Sequence, residues 1–195
     1  MCKEDKNNDM LKGETSPFGG NFVKDGKVYI MGEFDGSISY EVIPEMMKLI
    51  EKKKEERHPV IEIFINSHGG YGDQLQALIS LIQIAKANGI AIATYNMGIA
   101  NSCASILAIH GDHRLMTSHA TNLMHLGQTG DYNSTFSQLD RNTKRQKKWF
   151  NQIVQWYVDH TKLSKAKILE YLKDDCCYFD AKECLKYGLC DEIIK

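Results

Sequence analysis

This sequence predicts an α/β fold built on a parallel sheet, and three observations carry that prediction. The run Val60-Ile61-Glu62-Ile63-Phe64-Ile65-Asn66 reads as a strand from its β-branched and aromatic content. After Gly69-Gly70, the residues Leu75, Leu78, Ile79, Ile82 and Ala85 recur at helical spacing, and Asn88-Gly89 closes that helix. Ile90 to Tyr95 follows as a second strand, apolar throughout, as suits a strand buried on both faces of a parallel sheet. Strand, helix and strand within about 35 residues make a βαβ unit.

The other elements fall around that unit. Residues 1–20 are polar and glycine-containing with no apolar period, so a flexible N-terminal arm is expected there. Residues 21–195 are expected to form one domain, since a chain of this length buries roughly 70% of its unfolded surface around a single core. Lys27 to Met31 is a short apolar strand, and Ile43, Met46, Met47, Leu49 and Ile50 trace a helix that ends in the charged run before Pro59. Past the βαβ unit, Ile106 to Ile109 is an apolar helical turn and Thr121 to His125 a short strand, while His110, His113 and His119 lie in a polar stretch rich in turn residues. Residues 136–160 read as one long helix, with Lys144, Arg145, Lys147 and Lys148 mostly on its solvated side. A helix from Ser164 to about Leu172, a loop, a helix from Ala181 to Tyr187 stopped by Gly188, and the apolar pair Ile193-Ile194 complete the chain.

Composition excludes several classes of function. A formal net charge of −1 supplies no field for nucleic acid or an anionic membrane surface. The first twenty residues carry charges where a signal peptide needs an apolar run, and no stretch approaches the roughly 18 apolar residues of a membrane span. A cytoplasmic protein is expected. Of the six cysteines, Cys176, Cys177, Cys184 and Cys190 follow no CxxC spacing and have no histidine nearby, so they read as thiols in a reducing compartment rather than as disulfides or metal ligands.

Three places could carry chemistry. In Asn66-Ser67-His68-Gly69-Gly70, between a strand and a helix, two glycines can present bare N–H groups to an anion, although an ordinary turn needs the same residues. Ser102 lies among small residues where a strand meets a helix, the position of a nucleophile beneath a helix dipole but also of a helix-capping serine. Ser105 is its weaker rival, inside the helix. His125 ends an apolar strand, as a general base on a rigid support would, and a structural histidine fits the same place.

These residues, in this order, resemble the Clp protease family, from about Val23 to Ile194. Val23 to Glu33 is similar to the family's first strand and turn, and Phe64 to Gly70 to its INSPGG loop, with His68 in place of the proline. Gly98 to Ala108 resembles the segment around its nucleophile, Leu123-Met124-His125 the strand ending in its catalytic histidine, and Ala181 to Ile194 its closing helix and strand.

The resemblance implies a crotonase-like spiral of βαβ units with a protruding helical handle at about residues 128–160. It also implies self-association into heptameric rings, stacked as a tetradecamer around a chamber where unfolded polypeptide is cut, with substrate delivered by an AAA+ unfoldase. No metal or nucleotide cofactor is implied for the peptidase. Ser102 would attack the scissile carbonyl, His125 would carry the proton, and the N–H groups of Gly70 and Cys103 would hold the oxyanion. The family's orienting aspartate falls at Cys176 here; Asp175 is assigned the role, with Asp174 beside it. Two other readings use the same residues: a Clp-like ring subunit with an impaired triad, acting as scaffold or regulator, and an acyl-CoA enzyme of the crotonase superfamily, which needs no nucleophilic serine.

Overall fold

The computed structural model describes residues 20–125, 127, 135–173 and 177–195. The expected N-terminal arm, Gly20 apart, lies outside these residues. The described chain folds as β1 (Asn21–Lys24), β2 (Lys27–Ile30), α1 (Ile43–Lys53), β3 (Val60–Ser67), α2 (Gly72–Ala87), β4 (Ala91–Asn101), α3 (Cys103–Ile109), β5 (His113–Thr117), β6 (Thr121–Met124), α4 (Phe136–His160), α5 (Lys165–Lys173), β7 (Cys177–Phe179), α6 (Ala181–Tyr187) and β8 (Glu192–Ile194). A π-helical turn, Ile38–Val42, leads into α1.

The sheet is mixed, with strand order β1-β2-β3-β4-β5-β8 and with β6 and β7 branching from β4. β1 and β7 run antiparallel to their neighbours, and every other described pair is parallel. The alternation in β3 shows why these residues make a strand: Ile61, Ile63 and Ile65 are buried on the core face. Glu62 and Phe64 point to the other face, where Phe64 stacks between Tyr29 and Tyr95. The apolar stripe of α2 is buried as its spacing predicts, at Leu75, Leu78, Ile79, Ile82 and Ala85.

Five elements differ from the sequence reading. α3 starts at Cys103 rather than Ile106, and all seven of its residues are buried, so its beginning carries no amphipathic signal. His113–Thr117, read as a polar turn, is strand β5, made by its parallel partners β4 and β8 rather than by its own composition. Cys177–Phe179, read within a loop, is β7, and Asn21–Lys24 forms a hairpin strand with β2. β4 runs on to Asn101, past the expected end at Tyr95.

That extension of β4 positions the site. Ile65 pairs with Asn96, but the next pair is Ser67 with Ala100, so Met97, Gly98 and Ile99 together oppose the single residue Asn66. The Asn66 side chain fills this bulge and its Oδ1 accepts from the Ile99 N–H at 3.1 Å. A Cβ on Gly98 would lie 2.5 Å from that oxygen, so a side chain there would displace Asn66 from the bulge. Before the bulge β4 pairs with β5, through Ala93–Asn96; after it β4 pairs with β6, through Ile99–Asn101.

α4 spans 25 residues, about 37 Å at the helical rise. Thr135 and Gln138 start it with a reciprocal capping box. Its C-terminal half buries Ile153, Val154 and Tyr157, whereas residues 143–148 are exposed.

Candidate active site

Ser102 stands at the junction of β4 and α3 with φ 57° and ψ −121°, a conformation costly for a non-glycine residue. Its N–H donates to the Leu123 carbonyl of β6 at 3.0 Å. It occupies the N-cap position of α3, yet its side chain makes no capping bond. The capping role therefore does not account for this serine. Ser105, in contrast, is fully buried, donating to Asn122 Oδ1 and bonded to the Tyr157 hydroxyl, each at 2.7 Å.

The Asn66–Gly70 loop closes against Ser102. Ser67 Oγ donates to the Gly32 carbonyl at 2.6 Å and accepts from the Gly69 N–H at 3.0 Å. Gly69 has φ +95°, and a Cβ on it would sit 2.7 Å from both the Asn101 carbonyl oxygen and Ser102 Cβ. Gly70 forms a parallel bridge with Phe34, whose N–H donates to Gly69 and whose carbonyl accepts from Tyr71, each at 2.8 Å. In such a bridge the polar groups of Gly70 itself point away from Phe34. The Gly70 carbonyl accordingly accepts from the Cys103 thiol at 3.1 Å, so this side of Gly70 faces the start of α3. Cys103 is the first residue of α3, and its N–H has no acceptor within the helix.

His125 follows β6 immediately. Asn101 pairs with Leu123, so Ser102 and His125 leave the sheet at the carboxyl ends of neighbouring parallel strands. Gly70, Ser102, Cys103 and His125 line one cavity of about 510 Å³. Four of the five residues singled out in the sequence are thus brought together. The fifth, Asp175, and its neighbours Asp174 and Cys176 lie outside the described residues. Burial pushes the Cys103 thiol up to about 11, outweighing the hydrogen bonds to Gly70 and Ser102 that lower it, so this thiol does not compete as a nucleophile near neutral pH.

The rest of the cavity was not read from the sequence. Ile106, Phe150, Ile153 and Tyr157 give it an apolar wall, and Trp149 packs so closely that a Cβ on Gly72 would meet its indole at 2.9 Å. The signal available was the helical spacing of positions 143, 146, 150, 153 and 157 in α4. Lys147, read with the solvated cluster, is exposed but also borders the cavity. A larger cleft of about 670 Å³ adjoins it between α2 and α4; it contains neither Ser102 nor His125.

Among the described residues no cluster of three or more His, Cys, Asp or Glu could hold a metal ion, and no helix is long and apolar enough to cross a membrane. Among the described cysteines, Cys103, Cys184 and Cys190 are free thiols.

A strand-to-helix serine and a strand-end histidine, in one cavity of an α/β fold, define a hydrolase-like arrangement. The sequence model of the Clp protease family matches residues 14–195, and the chain belongs to that family. It is 26% identical over 176 residues to ATP-dependent Clp protease proteolytic subunit 2 of Treponema denticola, covering 89% of this chain and 84% of the relative. It is also 26% identical over 186 residues to the ATP-dependent Clp protease proteolytic subunit of Streptococcus mutans, covering 89% and 86%. Subunit 1 of Rhodopirellula baltica is 24% identical over 169 residues, covering 86% and 71%.

Proposed function

We propose that the chain is a serine endopeptidase that cleaves unfolded polypeptides and short peptides through an acyl-enzyme. The observation that carries this reading is the serine held at positive φ with no capping bond, facing the same cavity as His125. Ser102 Oγ attacks the scissile carbonyl while His125 takes its proton, and the N–H groups of Gly70 and Cys103 receive the developing oxyanion. His125 then gives the proton to the departing amine, and water repeats the sequence to release the acyl group. Asp175 is the proposed orienting carboxylate. The register supports a partner from that stretch of chain: Met124 pairs with Cys177, which brings the start of β7 to the His125 end of β6.

The family membership supports the remainder of the reading: a crotonase-like spiral in residues 21–195, with α4 within the handle, heptameric rings stacked in pairs, and an AAA+ unfoldase as the source of substrate. The names of the three relatives, ATP-dependent protease subunits, favour such a partner. No metal or cofactor enters the mechanism. A second reading, an impaired ring subunit serving as scaffold, is favoured by Cys176 at the position of the family's aspartate.

A fluorophosphonate probe separates the two. The peptidase reading expects labelling that disappears in Ser102→Ala, together with hydrolysis of fluorogenic peptides by wild type. An assembled but unlabelled protein establishes the scaffold instead.

A further inference from the structure

The cavity beside Ser102 has an uneven electrostatic lining. Thr143, Gln146, Lys147, Phe150, Ile153 and Tyr157, at positions that share one face of α4, form its helical wall. The deep end of that wall is apolar, where Ile153 and Tyr157 meet Ile106 of α3. The outer end carries Lys147, whose Cα lies about 4.5 Å along the helix axis from that of Phe150. Among the described residues no carboxylate lines the cavity, and the nearest acid along the helix, Asp140, pairs with Lys144 at 2.7 Å. Asp73 belongs to the adjoining cleft.

Resting on the peptidase reading of this cavity, we infer that Lys147 selects polypeptides carrying an acidic side chain within two residues of the apolar side chain seated beside Ser102. An extended substrate advances about 3.3 Å per residue, so one or two residues separate the apolar wall from the ammonium group. The apolar side chain enters between Phe150, Ile153 and Ile106, while the carboxylate meets the Lys147 ammonium at the rim. Lys147 is exposed at the rim, so the pair contributes the modest preference of a surface ion pair.

The test uses fluorogenic peptides with Leu at the cleaved bond and either Glu or Lys at one of the two preceding positions. Wild type is expected to show kcat/KM about threefold higher for the Glu member of the pair. Lys147→Glu should invert the preference, and Lys144→Glu, an equal change of charge away from the cavity, should leave the ratio at its wild-type value. Equal rates in wild type, or a ratio untouched by Lys147→Glu, overturn the assignment and leave the peptidase reading standing. Absence of any cleavage together with absence of Ser102 labelling overturns both.

Discussion

At the scale of single residues, the site depends on backbone approaches that leave no room for a side chain. Gly69 is the sharpest case, since its missing Cβ is where Ser102 Cβ and the Asn101 carbonyl lie. Gly69→Ala would have to move the nucleophile or the loop, and its φ of +95° adds strain. The expected result is a loss on the order of a hundredfold in kcat/KM. Circular dichroism should show the fold retained, and near-wild-type turnover would disprove the packing argument. Ser102, His125 and the Gly69-Gly70 turn could be picked out in the sequence because small residues and a strand-end histidine are local features, whereas Gly70 and Cys103 as oxyanion donors came only from the family resemblance. Lys147 could not be picked out, because its neighbours in the sequence are other solvated cations and only the placement of α4 sets it beside the cavity.

At the scale of elements, α3 is held at its far end by a buried histidine. His110 Nδ1 bonds the Ile106 carbonyl at 2.7 Å, its ring stacks on His160 at 4.4 Å, and Trp156 packs edge-on. Burial lowers its pKa from 6.5 to about 4, and the nearby His160 and Lys86 push the same way, against the Ile106 bond. Between those two values the unfolded chain binds a proton that the folded chain refuses, so stability falls as the solution is acidified from about pH 6.5 to 4. In urea melts, the advantage of wild type over His110→Phe should shrink by on the order of 3 kcal/mol from neutral pH to pH 4. A constant gap would show that His110 titrates normally in the folded protein. The histidine itself was visible in the sequence, but it was read as part of a turn-rich stretch. Its burial comes from α4, whose contacts with α3 are far apart in sequence. β5 was missed for the same reason: its ladder belongs to β4 and β8, and nothing in His113–Thr117 announces it.

At the scale of the whole molecule, the βαβ unit was legible because both strands and α2 carry their own period, while the branching of the sheet at β4 was not, since a bulge set by one asparagine leaves no pattern. The outer surface bears on assembly. Tyr40 is 83% exposed, and Met47 and Ile84 on α1 and α2 are also open, large apolar side chains of the kind that burial between subunits would cover. Light scattering coupled to size exclusion should find seven or fourteen subunits, and a stable monomer would refute the chamber. The bulge at Met97–Ile99 has one more consequence. β4 is gripped by β5 only as far as Asn96, and beyond that point the segment bearing Ser102 overhangs like a cantilever, steadied by β6, Asn66 and one pair with β3, Ser67 with Ala100. Damage to the overhang need not bring down the structure behind it. A chain built this way can be silenced by small changes and still persist as a sound building block, so durability in a melting experiment says little about whether the blade is sharp.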